Sequence, residues 1–244
     1  MQELVLVDKK LSINKHLILS LLIVFVGIPL TIIGGIYLLD DRSFYFVSMG
    51  VLFLSMLPFV LLFEGRKPET KELVVISVLC AIGVAGRVAF FMLPQVKPIV
   101  AVVIISGIVF GSESGFLVGA MSAFLSNFFF GQGPWTPWQM FAMGLIGLMA
   151  GLLFKRGRLP RNKTVICIFG GIVTLIVYGG IINLGSALMW SSKFNWGILL
   201  SFYATGLPFD LVHAGGTVMF LALMAMPMIE KLERVQIKYG MVQR

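Results

Sequence analysis

Three ionisable side chains, Arg87, Asp210 and His213, lie within apolar stretches of this 244-residue sequence. A charge inside a membrane helix is costly, so such residues are candidates for a function. Arg87 lies near the end of one stretch and the other two lie near the start of another, which gives all three a similar depth if both stretches cross a membrane. An Arg87–Asp210 ion pair is then possible, either as a structural link or as part of a ligand site.

Polar and aromatic residues also accumulate in three connectors between apolar stretches: Phe90 to Pro98, Asn127 to Gln139, and Trp190 to Gly206. Together with the ionisable residues, the connectors supply the side chains that we predict to bind a ligand: Arg87, Gln95, Lys97, Asn127, Gln132, Trp135, Trp138, Gln139, Trp196, Asp210 and His213. Flat aromatic surfaces with a few orienting polar groups are typical of a pocket for a small molecule that contains rings.

An aromatic belt is the alternative interpretation of the tryptophans, because Trp and Tyr favour the membrane interface. All four tryptophans fall in or beside two of these connectors, whereas a belt is expected at both interfaces. The side-chain amides that accompany them favour a ligand site. Asn183, inside a later apolar stretch, is more typical of a hydrogen bond between helices.

The sequence carries no recognisable catalytic or metal-binding motif. It has no Gly-x-x-x-x-Gly-Lys phosphate-binding loop and no His-Glu-x-x-His segment, and the topology predicted below places its 2 histidines at opposite faces of the membrane. Its 2 cysteines, Cys80 and Cys167, lie in apolar stretches as core residues do. We therefore predict no enzymatic activity, no cofactor and no metal site.

The composition is that of an integral membrane protein. Hydrophobic residues make up 58% of the chain and charged residues only 12%, against about 25% in soluble domains. The mean hydropathy is +0.98, which excludes a water-soluble enzyme. The net charge of +8 comes from Lys and Arg in connectors, where they orient helices, so it does not indicate nucleic-acid binding.

Apolar runs bounded by charges, Pro or Gly predict an all-α membrane fold with eight helices. The predicted spans are 17–38, 44–63, 72–93, 98–111, 114–130, 137–154, 163–188 and 207–229. The short span 98–111 is expected to be tilted or partly buried. A charged linker, Glu64 to Lys71, divides the chain into a two-helix membrane extension (1–71), a six-helix domain (72–230) and a basic tail (231–244). The first apolar run lacks a small-residue cleavage site and is expected to be an anchor.

The distribution of cations favours this even number of spans. With eight helices, 15 of the 19 Lys and Arg residues fall on one face, and only Arg42, Arg87, Lys97 and Lys193 fall on the other. The positive-inside rule then predicts that both termini are cytoplasmic and that the aromatic connectors face outward. The predicted ligand site is therefore at the outward mouth of the helices.

Small residues follow one face of the third predicted helix at intervals of four: Ser77, Ala81, Ala85 and Ala89. Small side chains let another helix approach closely, and close packing drives helix association in lipid. The neighbour is either a helix of the same chain or another protein. The pattern does not distinguish them.

The six-helix part, about residues 72–229, resembles the substrate-binding S components of energy-coupling factor (ECF) vitamin transporters. The resemblance rests on Ala81-x-x-x-Ala85, the following Arg87, the loop Pro94 to Pro98, and the distinctive segment Gly131-Gln-Gly-Pro-Trp-Thr-Pro-Trp-Gln139. This segment is similar to a subgroup described as cobalamin-related or of unassigned substrate. The resemblance implies a bundle that binds a vitamin at its outward end and docks through Ala81 and Ala85 onto a transmembrane coupling subunit with two cytoplasmic ATPases.

We therefore predict a substrate-binding subunit in the bacterial cell membrane that captures a vitamin-sized molecule and imports it with an ATP-driven module. Cobalamin is one candidate cargo, and riboflavin, a thiamine precursor, queuosine-type bases and pyridoxine stay open. The two helices that precede the six depart from the family's simple pattern. The alternative function is a stand-alone secondary transporter or channel, which ordinarily needs an acidic residue near the membrane midplane.

Overall fold

The computed structural model describes residues 15–16, 18–38, 43–65, 69–191 and 195–241. From residue 18 onward these residues form eight continuous helices: α1 (18–38), α2 (Ser43–Gly65), α3 (Thr70–Ala89), α4 (Ile99–Phe110), α5 (Ser112–Phe130), α6 (Thr136–Lys155), α7 (Lys163–Trp190) and α8 (Trp196–Lys238). Five of them, α2, α3, α6, α7 and α8, contain stretches long and apolar enough to cross a membrane. The predicted all-α membrane fold is confirmed.

Some residues used in the prediction lie outside the described residues. They are the N-terminal segment with Lys9 and Lys10, the connector Asp40 to Arg42, the linker residues Arg66 and Lys67, and Lys193 and Arg244. The assignment of these cations to a face of the membrane stays a prediction.

The chain forms two compact units. One comprises Met1–Pro68 and Leu188–Asn195, and the other comprises Glu69–Ala187 and Trp196–Arg244. We call the second the six-helix unit, because it contains α3 to α6, most of α7, and α8. In the first unit, α1 and α2 pack on each other, and the Ser20 hydroxyl donates to the carbonyl of His16 at 2.7 Å. The predicted division into domains stays a prediction, and residues 231–238 continue α8.

The short helix α4 is the core of the six-helix unit. All twelve of its residues, from Ile99 to Phe110, are buried. It contacts every other helix of the unit, α3 and α5 to α8. Its sequence IVAVVIISGIVF has no polar face to turn toward water, so it is stable only when apolar neighbours surround it. The expectation that this span is buried is confirmed.

Glycines bring α5 and α6 into backbone contact. A Cβ atom at Gly147 would overlap the carbonyl oxygen of Gly115, and one at Gly119 would overlap that of Met143. A Cβ at Gly107 of α4 would overlap the carbonyl oxygen of Gly147 in the same way. Helices this close gain van der Waals contacts between their backbones, which larger side chains would prevent. They hold the connector between α5 and α6 and the helix ends beside it, which together carry five of the predicted site residues: Asn127, Gln132, Trp135, Trp138 and Gln139.

The other end of the unit is basic and is tied together by α8. The Lys71 ammonium donates to the carbonyl of Tyr239 at 3.3 Å, and Arg161 pairs with Glu233 at 2.9 Å. The Gln236 amide donates to the carbonyl at the end of α4. The start of α3, the end of α4 and the α6–α7 connector therefore meet the last turns of α8. We call this the basic end.

Helix α8 is much longer than predicted. It has 43 residues, which at 1.5 Å per residue is about 64 Å, twice the hydrocarbon thickness of a bilayer. The segment from Trp196 to Gly206, predicted as an outward loop, is its first turns, so that prediction is wrong. The predicted span begins at residue 207, beside Pro208, but proline is tolerated inside membrane helices when neighbours satisfy the freed carbonyl.

Candidate functional site

Arg87 lies in the last turn of α3 and is half-buried. Its Nη1 donates to the hydroxyl of Ser126 and, at 2.9 Å, to Oδ1 of Asn127. The guanidinium carbon lies 4.4 Å from the ring centroid of Phe130, which is a cation–π distance. Within the described residues, Nε and Nη2 donate to no acceptor. A guanidinium has five N–H donors, so the planar fork formed by these two nitrogens is left for a ligand.

Asn127, at the end of α5, connects Arg87 to the following loop. It is 1% exposed, so its amide must find partners inside the protein. Its Nδ2 donates to the Thr136 hydroxyl at 3.0 Å and to Oε1 of Gln139 at 2.8 Å. The Thr136 hydroxyl in turn donates to Oε1 of Gln132 at 3.0 Å. Five residues from α3, α5 and the start of α6, together with the loop residue Gln132, thus form one network. We call it the Arg87 network.

The two tryptophans of this loop have different surroundings. The Trp135 ring covers Gly133 and is 41% exposed. The Trp138 ring packs against Gly185 of α7 and is 4% exposed, with a buried indole N–H that has no hydrogen-bond partner. Trp135 therefore offers an exposed aromatic surface, whereas Trp138 is part of the packed interface between α6 and α7.

We expect alanine at these two positions to act differently. Trp138→Ala should lower the free energy of unfolding by about 3–5 kcal/mol, because it leaves a cavity between two helices. Trp135→Ala should change stability little and weaken ligand binding by about 1–3 kcal/mol through the lost aromatic contact. Thermal unfolding and calorimetric titration of both variants in detergent measure these effects. If Trp135→Ala also leaves ligand affinity unchanged, Trp135 belongs to an aromatic belt.

Lys97 ends α3. Its ammonium donates to the carbonyl oxygens of Phe90, Phe91 and Leu93, at 2.5, 3.2 and 2.8 Å. These carbonyls lie just after the last helical residue, where a cation is favourable. The third helix accordingly stops at Ala89 instead of reaching residue 93 as predicted. All three donors of the ammonium are occupied, so Lys97 positions the α3–α4 connector.

A second polar cluster joins α7 and α8. The Asn183 amide donates to Oδ2 of Asp210 at 2.7 Å. The rings of Tyr178 and His213 meet edge to face, with centroids 4.8 Å apart. Gly206 accommodates the cluster, because a Cβ there would overlap the Asn183 amide. The interpretation of Asn183 as a link between helices agrees with this geometry.

The two clusters lie close together. Arg87 and Asp210 are both within electrostatic range of Tyr178, and Arg87 and Lys97 are within range of His213. Partial burial and, to a smaller extent, the charge of Arg87 lower the pKa of Lys97. No ion pair joins Arg87 to Asp210 among the residues that the structure describes, since each has other partners. Arg87 and Lys97, two cations in range of the neutral ring of His213, favour a ligand with an anionic or electron-rich group.

Other predicted residues are exposed and remain outside these clusters. Gln95 is exposed at the turn of the α3–α4 connector and has a φ of 60°, the left-handed conformation. Trp196, in the first turn of α8, is 69% exposed. An exposed tryptophan at a helix end is typical of the membrane interface.

Sequence reasoning missed three residues. Ser126 and Thr136 complete the Arg87 network, and Tyr178 lies against His213. A tyrosine hydroxyl inside the apolar run of α7 was the available signal for Tyr178. Ser and Thr are common in membrane helices, so Ser126 and Thr136 gave no signal in the sequence.

No group of three or more His, Cys, Asp or Glu residues suited to holding a metal ion occurs in the described part of the chain.

Comparison with known proteins identifies the bundle. Residues 67–233 match the family model described as ECF-type riboflavin transporter, S component. The chain belongs to this family. An S component is the substrate-binding subunit of a membrane transporter, and the matched range covers α3 to α7 and most of α8. The resemblance recognised in the loop residues is thereby confirmed.

Two curated relatives of this S component carry no substrate in their names. UPF0397 proteins are 29% identical over 126 residues in Vibrio atlanticus and 28% identical over 129 residues in Aliivibrio fischeri. The alignments cover 49% of this chain in both cases, and 69% and 68% of the two relatives. No solved structure matches.

Proposed function

We propose that this S component captures a vitamin-sized, ring-bearing molecule at the end of the six-helix unit that carries the Arg87 network. It then delivers the molecule inward with an ATP-driven coupling module. The observation that carries the proposal is the network itself: a half-buried arginine held by buried partners, with part of its donor fork unused, in a family of substrate-binding subunits.

The geometry of Arg87 supports a particular class of ligand. Its Nη1 is fixed by Ser126 and Asn127, which leaves Nε and Nη2 as a preorganised pair of donors. Such a fork matches a carboxylate, a phosphate or two neighbouring carbonyl-type acceptors on a ring. The exposed ring of Trp135 supplies an aromatic surface on the α5–α6 connector, which also carries Gln132 of the Arg87 network. The ligand we expect is planar and rich in acceptors.

Riboflavin is the first candidate cargo, because the matching family model carries that name. A thiamine precursor, pyridoxine and queuosine-type bases are the other members of a test panel. Nothing in the comparisons supports cobalamin, and we do not propose it.

The proposed orientation places the basic end in the cytoplasm. This end carries Lys71, Arg161 and Lys163, and positive charge is retained on the cytoplasmic side of membrane proteins. The Arg87 network then faces outward, as import requires. Both termini are cytoplasmic in this arrangement.

Native mass spectrometry of the full chain, purified alone from its own host in mild detergent, tests the proposal. We expect a stoichiometric small-molecule adduct whose mass identifies the cargo, or binding of one member of the vitamin panel. A chain that stays free of ligand after incubation with the whole panel argues against a receptor. Uptake that continues when the ATPases are removed favours a secondary transporter instead.

The small-residue face of α3 is the proposed docking site for the coupling subunit. Ala81 and Ala85 are exposed and line an apolar groove of about 490 Å³ together with Ser77, Ala89 and Leu125. A groove floored by alanines accepts a helix from another protein. This supports the docking role that the family resemblance implies.

Replacing both Ala81 and Ala85 by Trp should abolish copurification with the coupling subunit and leave ligand affinity unchanged. Two indoles fill the groove, whereas the Arg87 network lies at the end of the helix. The matched control is the pair Val78→Trp and Ile82→Trp, on the same helix at similar depth, exposed and outside the groove. Equal copurification of both double variants would place the docking surface elsewhere.

A further inference from the structure

A second groove lies between α7 and α8. It has a volume of about 680 Å³ and runs along one face of each helix. Its lining is Lys163, Thr164, Cys167, Ile168, Gly171, Ile172 and Leu175 from α7, and Leu211, Ala214, Gly215, Val218 and Ala222 from α8. Only the Lys163 end carries charge. The rest is apolar apart from the hydroxyl of Thr164 and the thiol of Cys167.

The length of the groove matches one leaflet of a bilayer. Twelve residues separate Lys163 from Leu175, which corresponds to about 18 Å of helix. Half of a bilayer core is about 15 Å thick. A transmembrane helix of another protein would need a matching face across the whole core. A lipid acyl chain needs only this half.

The charge at the mouth of the groove selects among lipids. Lys163 is exposed and makes no hydrogen bond or ion pair within the described residues. It lies at the basic end, next to Arg161, whose guanidinium is already paired with Glu233. An unpaired ammonium at the end of an apolar groove is complementary to a phosphate headgroup that carries a net negative charge.

We propose that this groove is a binding site for an anionic phospholipid, such as phosphatidylglycerol, in the leaflet at the basic end. One acyl chain lies along Cys167, Gly171 and Gly215, and the headgroup phosphate accepts from the Lys163 ammonium. The small residues of the floor give the chain its room. No substrate, metal or second protein is required for this binding.

Native mass spectrometry of the full chain with phosphatidylglycerol or phosphatidylcholine of identical acyl chains tests the charge selection. We expect the anionic lipid to be retained about fivefold better, the effect of one lysine near a charged headgroup. Lys163→Gln should remove this preference. Lys231→Gln, which removes an exposed cation at the same end but outside the groove, should keep it. Equal retention of both lipids by the unmodified chain, or a preference that survives Lys163→Gln, would overturn the proposal.

A second variant tests the groove itself. Gly215→Leu places a side chain in the groove at a position where the added Cβ meets no atom within 4 Å. We expect this variant to lose the lipid adduct. Gly180→Leu, at an equally open glycine outside the groove, should retain it. An adduct that persists in Gly215→Leu would place the lipid elsewhere on the surface.

A photocrosslinker on Cys167 distinguishes the possible occupants. The Cys80→Ala background leaves Cys167 as the only thiol of the chain. In native membranes we expect the crosslinker to capture phospholipid. Capture of a protein instead would show that the groove is a helix-docking surface and would overturn the proposal.

Discussion

Replacing Gly147 by alanine is expected to cost the six-helix unit about 3 kcal/mol or more of unfolding free energy. The new Cβ would overlap the carbonyl oxygen of Gly115 and lie 3.0 Å from Cγ1 of Val103. Backbone cannot rotate away as a side chain can, so α5 and α6 must separate. Overpacking of a core already costs about 1–3 kcal/mol when only side chains have to move.

Thermal unfolding in detergent measures this cost. For a chain of this size, 1 kcal/mol corresponds to about 2–4 °C, so we expect the midpoint to fall by about 6–12 °C. Gly215→Ala is the matched control, a helical glycine at which a Cβ meets nothing within 4 Å. It should leave the midpoint unchanged or raise it slightly, since alanine is the better helix former. An unchanged midpoint for Gly147→Ala would contradict the backbone contact between α5 and α6.

Gly147→Ala should also weaken ligand binding. Asn127 at the end of α5 bonds Thr136 and Gln139 at the start of α6, so a separation of the two helices opens the Arg87 network. The variant therefore tests whether this packing positions the site.

Replacing Arg87 by glutamine is expected to weaken ligand binding about 10- to 100-fold. Hydrogen bonds to charged groups contribute about 1.5–3 kcal/mol each, and the variant removes both the charge and the free donor fork. Calorimetric titration with the cargo identified by mass spectrometry measures the loss. Arg87→Lys keeps the charge but not the fork, so its ligand affinity should lie between that of the unmodified chain and that of Arg87→Gln.

Arg161→Gln is the matched control for this experiment. It also removes a hydrogen-bonded arginine from the six-helix unit, but at the basic end, where Arg161 pairs with Glu233. We expect its ligand affinity to equal that of the unmodified chain. If Arg87→Gln binds the cargo equally well and only its unfolding midpoint falls, Arg87 is a structural link between α3 and α5.

The predicted helices follow from elementary properties of the sequence. The alternation of apolar runs with charged connectors was sufficient to predict the eight helices that the described residues form, because a membrane requires every backbone polar group to be paired within its own helix. The boundaries were less predictable. The start of α8 was placed at residue 207 instead of Trp196, because proline marks a helix start in water but is tolerated within a membrane helix.

The candidate site was predicted in its residue types and only partly in its contacts. Arg87, Asn127, Gln132 and Gln139 were chosen separately, and the fold brings them into one network. The sequence made an Arg87–Asp210 ion pair possible, because opposite charges at one depth attract. In the structure Asp210 accepts from Asn183, a neighbour on α7, and Arg87 bonds residues of α5. The sequence indicates the depth of a residue in the membrane, but it does not indicate which helix that residue packs against.

The sequence by itself determined the membrane class, the helix count and the family of this S component, since all three depend on composition and on short local motifs. Only the tertiary structure decided which tryptophan is exposed and which is in the packed interface, and that Lys97 binds the end of α3. It also decided that the face of α7 and α8 between Lys163 and Leu211 is an open groove. These properties depend on which helices are neighbours, and van der Waals packing among nearly uniform apolar faces fixes that choice without leaving a periodic signal in the sequence.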